Sequence, residues 1–129
     1  MNLSKYVGIP YAEHGRGRLG CDCWGLVTYA YKEEFGISLP SYDAYYDDPE
    51  NQTHIDDAFD IEEKSWQKVD KPVLGDVVLL KLRGVLVHVG IIIDSTRMLH
   101  VMKGKHTIIE SYTSLKYTRR IKGFYRYAK

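Results

Sequence analysis

The chain has 129 residues, 44% apolar and 27% charged, which is enough for one globular domain (1–129) with its own core. A formal net charge of +1 excludes the strong basic excess of a dedicated nucleic-acid binder. Two cysteines are too few for a disulfide scaffold, and no apolar run approaches membrane-spanning length, so neither nucleic acid nor membrane insertion is expected.

Met1 to Tyr6 has no apolar h-region, so no secretory signal is expected and the chain reads as made in a cytosol. Leu3 to Val7 reads as a short helix stopped by Gly8, with Pro10 just beyond. Ala12 to Gly20 is a Gly- and Arg-rich loop. A helix then starts near Asp22 and ends at Phe35, with Gly36 as its C-cap. Leu26, Val27, Ala30, Tyr31 and Phe35 follow the helical period and share one face with Cys23. Ile37 to Asp48 is loop. A second helix is predicted over about Thr53 to Gln67, capped by Thr53 and burying Ile55, Phe59 and Trp66.

From Pro72 the period changes to that of strands. Val77 to Leu82 is the first, after the turn Leu74-Gly75-Asp76. Val85 to Ile93 is the second, and its β-branched density predicts deep burial. Asp94 to Arg97 turns into Met98 to Met102, followed by Thr107 to Ser111 and Lys122 to Tyr127. Helices first and antiparallel strands second make an α+β pattern, with N-terminal helices packed on a five-stranded antiparallel sheet. Charge is uneven along the chain. Residues 41–66 carry nine acids and one base, whereas 97–129 carry nine bases and only Glu110 as an acid. Such runs read either as two solvated faces or as a basic surface that meets an anionic polymer.

The chemistry points to Cys23. A thiol in the first turn of a helix feels unpaired backbone N–H groups and the positive end of the macrodipole. Both favour thiolate, so a depressed pKa and a nucleophilic role are expected. His88 lies inside a buried strand, where an unpaired polar ring is costly, and reads as general base. His100 lies across the hairpin with a parity that allows it to face His88. There it can hold the base's tautomer, provided the register does not slip. Tyr11 precedes the nucleophile on a loop and can donate to an oxyanion, together with the Cys23 N–H. Asp22 reads as N-cap, or as a contact for a substrate amine, or both. His14, His54 and His106 read as surface histidines. Cys21 is too close to Cys23 for an unstrained bridge, so both are expected as free thiols.

Taken in order, Gly8-Ile9-Pro10-Tyr11, Asp22-Cys23-Trp24-Gly25-Leu26-Val27, Gly75-Asp76-Val77-Val78, His88-Val89-Gly90-Ile91 and Leu99-His100 resemble the NlpC family of papain-like cysteine peptidases. Trp24, the run Gly36-Ile37-Ser38-Leu39-Pro40-Ser41-Tyr42 and Gly123-Phe124-Tyr125-Arg126 resemble its branch encoded by tailed phages and prophages. The resemblance implies a papain-like NlpC fold and hydrolysis of peptidoglycan stem peptides, typically between D-glutamate and diaminopimelate. It implies Cys23 as nucleophile, His88 as base, His100 as third polar residue, Tyr11 in the oxyanion hole and Asp22 as the residue that recognises a free stem-peptide amine. It also implies phage tail-tip proteins as partners and the virion tail as location, acting on the bacterial cell wall. No metal or cofactor is needed for that chemistry.

Other readings remain open at this point. One is a tail-tip assembly protein with an idle peptidase site. Another is an amidase or acyltransferase of the same fold. A zinc site from Cys21, Cys23, His88 and His100 has suitable residue types, but its C-x-C spacing is shorter than usual.

Overall fold

A computed structural model describes residues 2–39, 65–82 and 86–127. A 3₁₀ turn, Leu3–Tyr6, comes first, and a two-stranded ribbon follows, β1 (Arg16–Gly17) paired with β2 (Gly20–Cys21). Helix α1 (Cys23–Phe35) starts at Asp22, whose side chain accepts from the Gly25 N–H, and stops at Gly36 in the left-handed region, φ 66°. Both caps are as expected, because each is dictated by local chemistry. Leu26, Val27, Ala30 and Tyr31 are buried.

The remaining strands are β3 (Trp66–Val69), β4 (Val77–Leu82), β5 (Leu86–Ile92), β6 (Arg97–His100), β7 (Ile108–Ser111) and β8 (Ile121–Tyr127). They form one sheet in the order β3-β8-β4-β5-β6-β7, with every pairing antiparallel. The α+β expectation holds, with two corrections. The sheet has six strands rather than five, and α1 is the only α-helix among the described residues. Most of the second predicted helix lies outside the described residues. Its last two positions, Trp66 and Gln67, are strand and pair with Tyr127 and Arg126. A short run such as Ser65-Trp66-Gln67-Lys68-Val69 suits either period, and its partner lies at the far end of the chain.

Helix α1 packs on one face of the sheet, over Val77, Leu79, Val89, Ile91 and Leu99. The other face carries Val78, Leu80, Ile92 and Met98, covered by Tyr112 and Tyr117 from the connection between β7 and β8. On β5 the alternation puts Val89 and Ile91 under α1, and His88, paired with Leu80, on the face of Ile92. Among the described residues no helix is long and apolar enough to cross a membrane.

One conspicuous motif turns out to be architectural. Asp76 is buried, accepts from the Val73 N–H and makes a two-point ion pair with Arg126 (3.0 and 2.9 Å). The Tyr31 hydroxyl donates to the Gly75 carbonyl. Together these contacts tie α1, the turn before β4 and β8 into one block.

Candidate active site

The sequence from Gly8 to Gly25 builds one half of the site. Gly8, Ile9 and Tyr11 are held by backbone hydrogen bonds to Lys105 and Thr107, beyond the end of β6. Cys21 N–H donates to the Pro10 carbonyl and Ala12 N–H to the Cys21 carbonyl. The Tyr11 loop is thereby stitched between the sheet and the ribbon that leads into α1. The ribbon lies so close to the helix that a side chain at Gly25 would run into the Gly15 carbonyl and crowd Arg16 and Asp22. Glycine at the third position of Cys23-Trp24-Gly25 is therefore a packing requirement.

Cys23 is the first residue of α1 and partly exposed, with no disulfide. The backbone N–H groups of Trp24 and Val89 lie near enough to its sulfur to favour the thiolate. The second contact follows from the end of a ladder. β5 and β6 pair only at Ile91–Leu99 and Ile92–Met98, so Val89 lies beyond their last pair. Sulfur thus meets strand β5 one residue from His88.

The expected depressed thiol pKa is not found. Burial pushes Cys23 up to about 12 and the Asp22 charge adds to this, while the two backbone N–H groups and Arg16 pull the other way without prevailing. A helix N-terminus is a weak field beside desolvation. Tyr11 is also pushed up to about 12, by burial first and then by the neighbouring Cys23, Asp22 and Glu13. It therefore stays a phenol, able to donate.

Asp22 is buried and caps the helix. One carboxylate oxygen accepts from Gly25 N–H (2.6 Å) and pairs with Arg16 (2.8 Å), and the other accepts from His14 N–H (3.0 Å). Burial raises its pKa against the pull of these donors. Cys21 is buried and donates its thiol to the Gly17 carbonyl (3.1 Å), and burial lifts its pKa to about 11. It packs under the ribbon.

The second half comes from three adjacent strands. His88 Nε2 lies 2.8 Å from His100 Nδ1, so the register does bring the two rings together. Gly90, between them on the same face, leaves the space, since a Cβ there would sit 3.4 Å from that of His100 and 3.3 Å from the Leu99 carbonyl oxygen. Both histidines are buried. Burial and the neighbouring His100 hold His88 well below the usual imidazole range, at about 3; burial likewise lowers His100, against the opposing pull of Glu110. Both rings are neutral at neutral pH.

One member of this half escaped sequence reasoning. His100 Nε2 lies 2.8 Å from Glu110 Oε1, on β7. Tyr117 O–H donates to that same oxygen (3.0 Å), and Lys116 lies 3.5 Å from the other. The available signal was Glu110's standing as the lone acid in the basic stretch 97–129. His14 and His106 are exposed, as expected, and His54 lies outside the described residues. Among the described residues no three His, Cys, Asp or Glu side chains are placed to hold a metal. The Cys21 thiol points at a carbonyl and the two imidazoles at each other.

A model of the NlpC/P60 family matches residues 8–126, and the chain belongs to that family. It is 27% identical over 122 residues to a probable endopeptidase NlpC homolog of Haemophilus influenzae, covering 90% of this chain and 56% of that protein. It is 26% identical over 110 residues to the murein DD-endopeptidase MepS/murein LD-carboxypeptidase of Escherichia coli, covering 84% of this chain and 50% of that one. The chain thus spans about half the length of these curated relatives. Its fold matches the NlpC/p60 domain of the peptidoglycan hydrolase SagA, with TM-score 0.65 at 19% identity over 95% of this chain and 91% of that one. An NlpC/P60 protein from Bacillus cereus gives TM-score 0.68 at 24% identity, covering 98% of this chain and 38% of that one.

Proposed function

We propose that this NlpC/P60 domain is a cysteine endopeptidase that cleaves peptidoglycan stem peptides, with Cys23 as nucleophile. The observation that carries the reading is the approach of a helix-terminal sulfur to the Val89 amide, next in sequence to a histidine whose Nε2 is bonded to a second histidine. Relatives named as endopeptidases support the reaction class.

His88 Nε2 is engaged by His100, so Nδ1 is the nitrogen left for the thiol. With the thiol pKa raised and the imidazole pKa lowered, the resting pair is neutral. His88 Nδ1 therefore takes the proton as sulfur attacks the carbonyl carbon, rather than standing beside a preformed thiolate. The oxyanion accepts from the Cys23 N–H and the Tyr11 hydroxyl. The imidazolium returns its proton to the leaving amine, which leaves an acyl-enzyme. Water, deprotonated by His88, then releases the acid and restores the thiol. Asp22 serves first as cap; recognition of a stem-peptide amine at Asp22 requires that amine to compete with Arg16.

The bond we assign is of the D-glutamyl–diaminopimelate type, and the location is the tail tip of a phage virion, with other tail-tip proteins as partners. Both finer assignments draw on the sequence resemblance carried by Trp24, residues 36–42 and residues 123–126. A second reading, an assembly protein with an idle site, draws support from the raised thiol pKa of Cys23.

Mass spectrometry of purified muropeptides after incubation with wild-type protein and with Cys23→Ala separates these readings. Cleavage by the wild type alone supports the proposal, and the product masses distinguish endopeptidase from amidase or acyl transfer. No cleavage by either, with the fold intact, leaves the assembly reading.

A further inference from the structure

We propose that Glu110 is a positioning residue that sets the proton arrangement of both histidines, so that His88 keeps a bare Nδ1 able to take a proton; this rests on the peptidase reading of the same site. An ionised carboxylate only accepts. Glu110 is held in that form: burial raises its pKa, but hydrogen bonds from His100 and Tyr117 and the charge of Lys116 outweigh this and leave it lowered. His100 Nε2, 2.8 Å from Glu110, must then carry the hydrogen.

A neutral imidazole carries only one, and burial keeps His100 neutral. Its Nδ1 is therefore bare and must accept from His88 Nε2–H across 2.8 Å. His88, neutral too, is left with Nδ1 unprotonated. The chain of bonds admits no other pattern while Glu110 is charged. Without Glu110 the reverse pattern becomes equally available. His88 would then hold a hydrogen on Nδ1 and could not take one from a thiol.

Placement supports the assignment. Glu110 lies opposite Met98 in the β6–β7 ladder, two residues from His100 on the same face, which is within reach of long side chains. Tyr117 donates to the oxygen that accepts from His100 and packs its ring edge against that imidazole (5.7 Å). Lys116 completes the surroundings at the rim. The carboxylate thus has one inward task, and its partners orient it for that task.

Two substitutions and two readouts test this. In Glu110→Leu the histidines lose their anchor, whereas in Glu110→Gln the amide oxygen still accepts from His100. Nitrogen-15 NMR of the histidine rings should show both protonated at Nε2 in wild type and in Glu110→Gln, with a mixture in Glu110→Leu. On muropeptides, kcat of Glu110→Leu should fall about tenfold to a hundredfold with KM nearly unchanged, short of the ~10²–10⁴ of complete general-base catalysis. Glu110→Gln should recover most of it. A hydrogen on His88 Nδ1 in wild type, or unchanged ring spectra in Glu110→Leu, would overturn the proposal. So would a Glu110→Gln variant as impaired as Glu110→Leu. Because the spectra need no substrate, a wild type that cleaves nothing but shows the Nε2 pattern refutes the peptidase reading while sustaining the Glu110 assignment.

Discussion

The two halves of the site are built in opposite ways. The nucleophile half is nearly continuous in sequence, from Tyr11 to Gly25, and its charged pair, Asp22 and Arg16, lies inside beside the sulfur. The histidine half takes one residue from each of three strands, and its charged pair, Glu110 and Lys116, sits out toward the rim. Between the two lie only groups that are neutral at neutral pH: a thiol, two imidazoles and a phenol. Burying a charge is costly unless it is paired. Each half keeps its charges paired at one end and leaves the thiol, imidazoles and phenol uncharged.

The sharpest break in this picture is Cys23→Ala. Muropeptide cleavage should fall by at least about 10³-fold while circular dichroism stays unchanged, because the side chain contributes chemistry and little packing. His88→Ala should cost nearly as much. His100→Ala should cost less, about 10- to 100-fold, since it acts through His88. Equal activity in all three variants would end the case for catalysis.

Next come changes that separate the halves by stability. Asp22→Ala removes a buried cap and its ion pair with Arg16, so it should cost about 2–4 kcal/mol in denaturant unfolding. Gly25→Ala drives a methyl into the Gly15 carbonyl and should reach the upper end of the roughly 1–3 kcal/mol typical of overpacking. Gly90→Ala meets its neighbours at 3.3–3.4 Å. It should cost less in stability, yet lower kcat by displacing His100. If Gly90→Ala proved the more destabilising of the two, the assignment of tight packing to the nucleophile half would be wrong.

The most gradual effect is read from pH. His88 titrates at about 3 in the fold instead of 6.5, and His100 is also lowered. The unfolded chain therefore binds more protons than the fold between those values, and stability should fall as pH drops below about 6.5. Cys23 and Tyr11 are raised instead. Unfolding then releases more protons at high pH, and stability should fall as pH climbs past their ordinary values of 9.0 and 10.0. Thermal melts across pH should show a plateau between these limits. His88→Gln should flatten the acid side alone, and a variant melting with wild-type acid sensitivity would place the titrating group elsewhere.

Legibility followed the same division. Helix α1 was readable to the residue at both ends, because a cap forms within a few positions of itself, as at Asp22–Gly25 and Gly36. Strands β4, β5 and β8 were readable from the sequence, and parity allowed His88 and His100 a common face; the β5–β6 register decided it. Strand β3 was misread because its partner, Tyr127, is 61 positions away from Trp66. Glu110 was visible only as an odd acid in a basic run.

By itself, then, the sequence determined the local chemistry: which residue begins the helix, which glycines let backbones meet, and which side chains can carry a proton. Only the tertiary structure decided the values those groups take. Desolvation raises a thiol that a helix end alone would lower, because removal from water outweighs a partial dipole. The register of three strands, a long-range outcome, decides that a carboxylate and two imidazoles stand in hydrogen-bonded sequence.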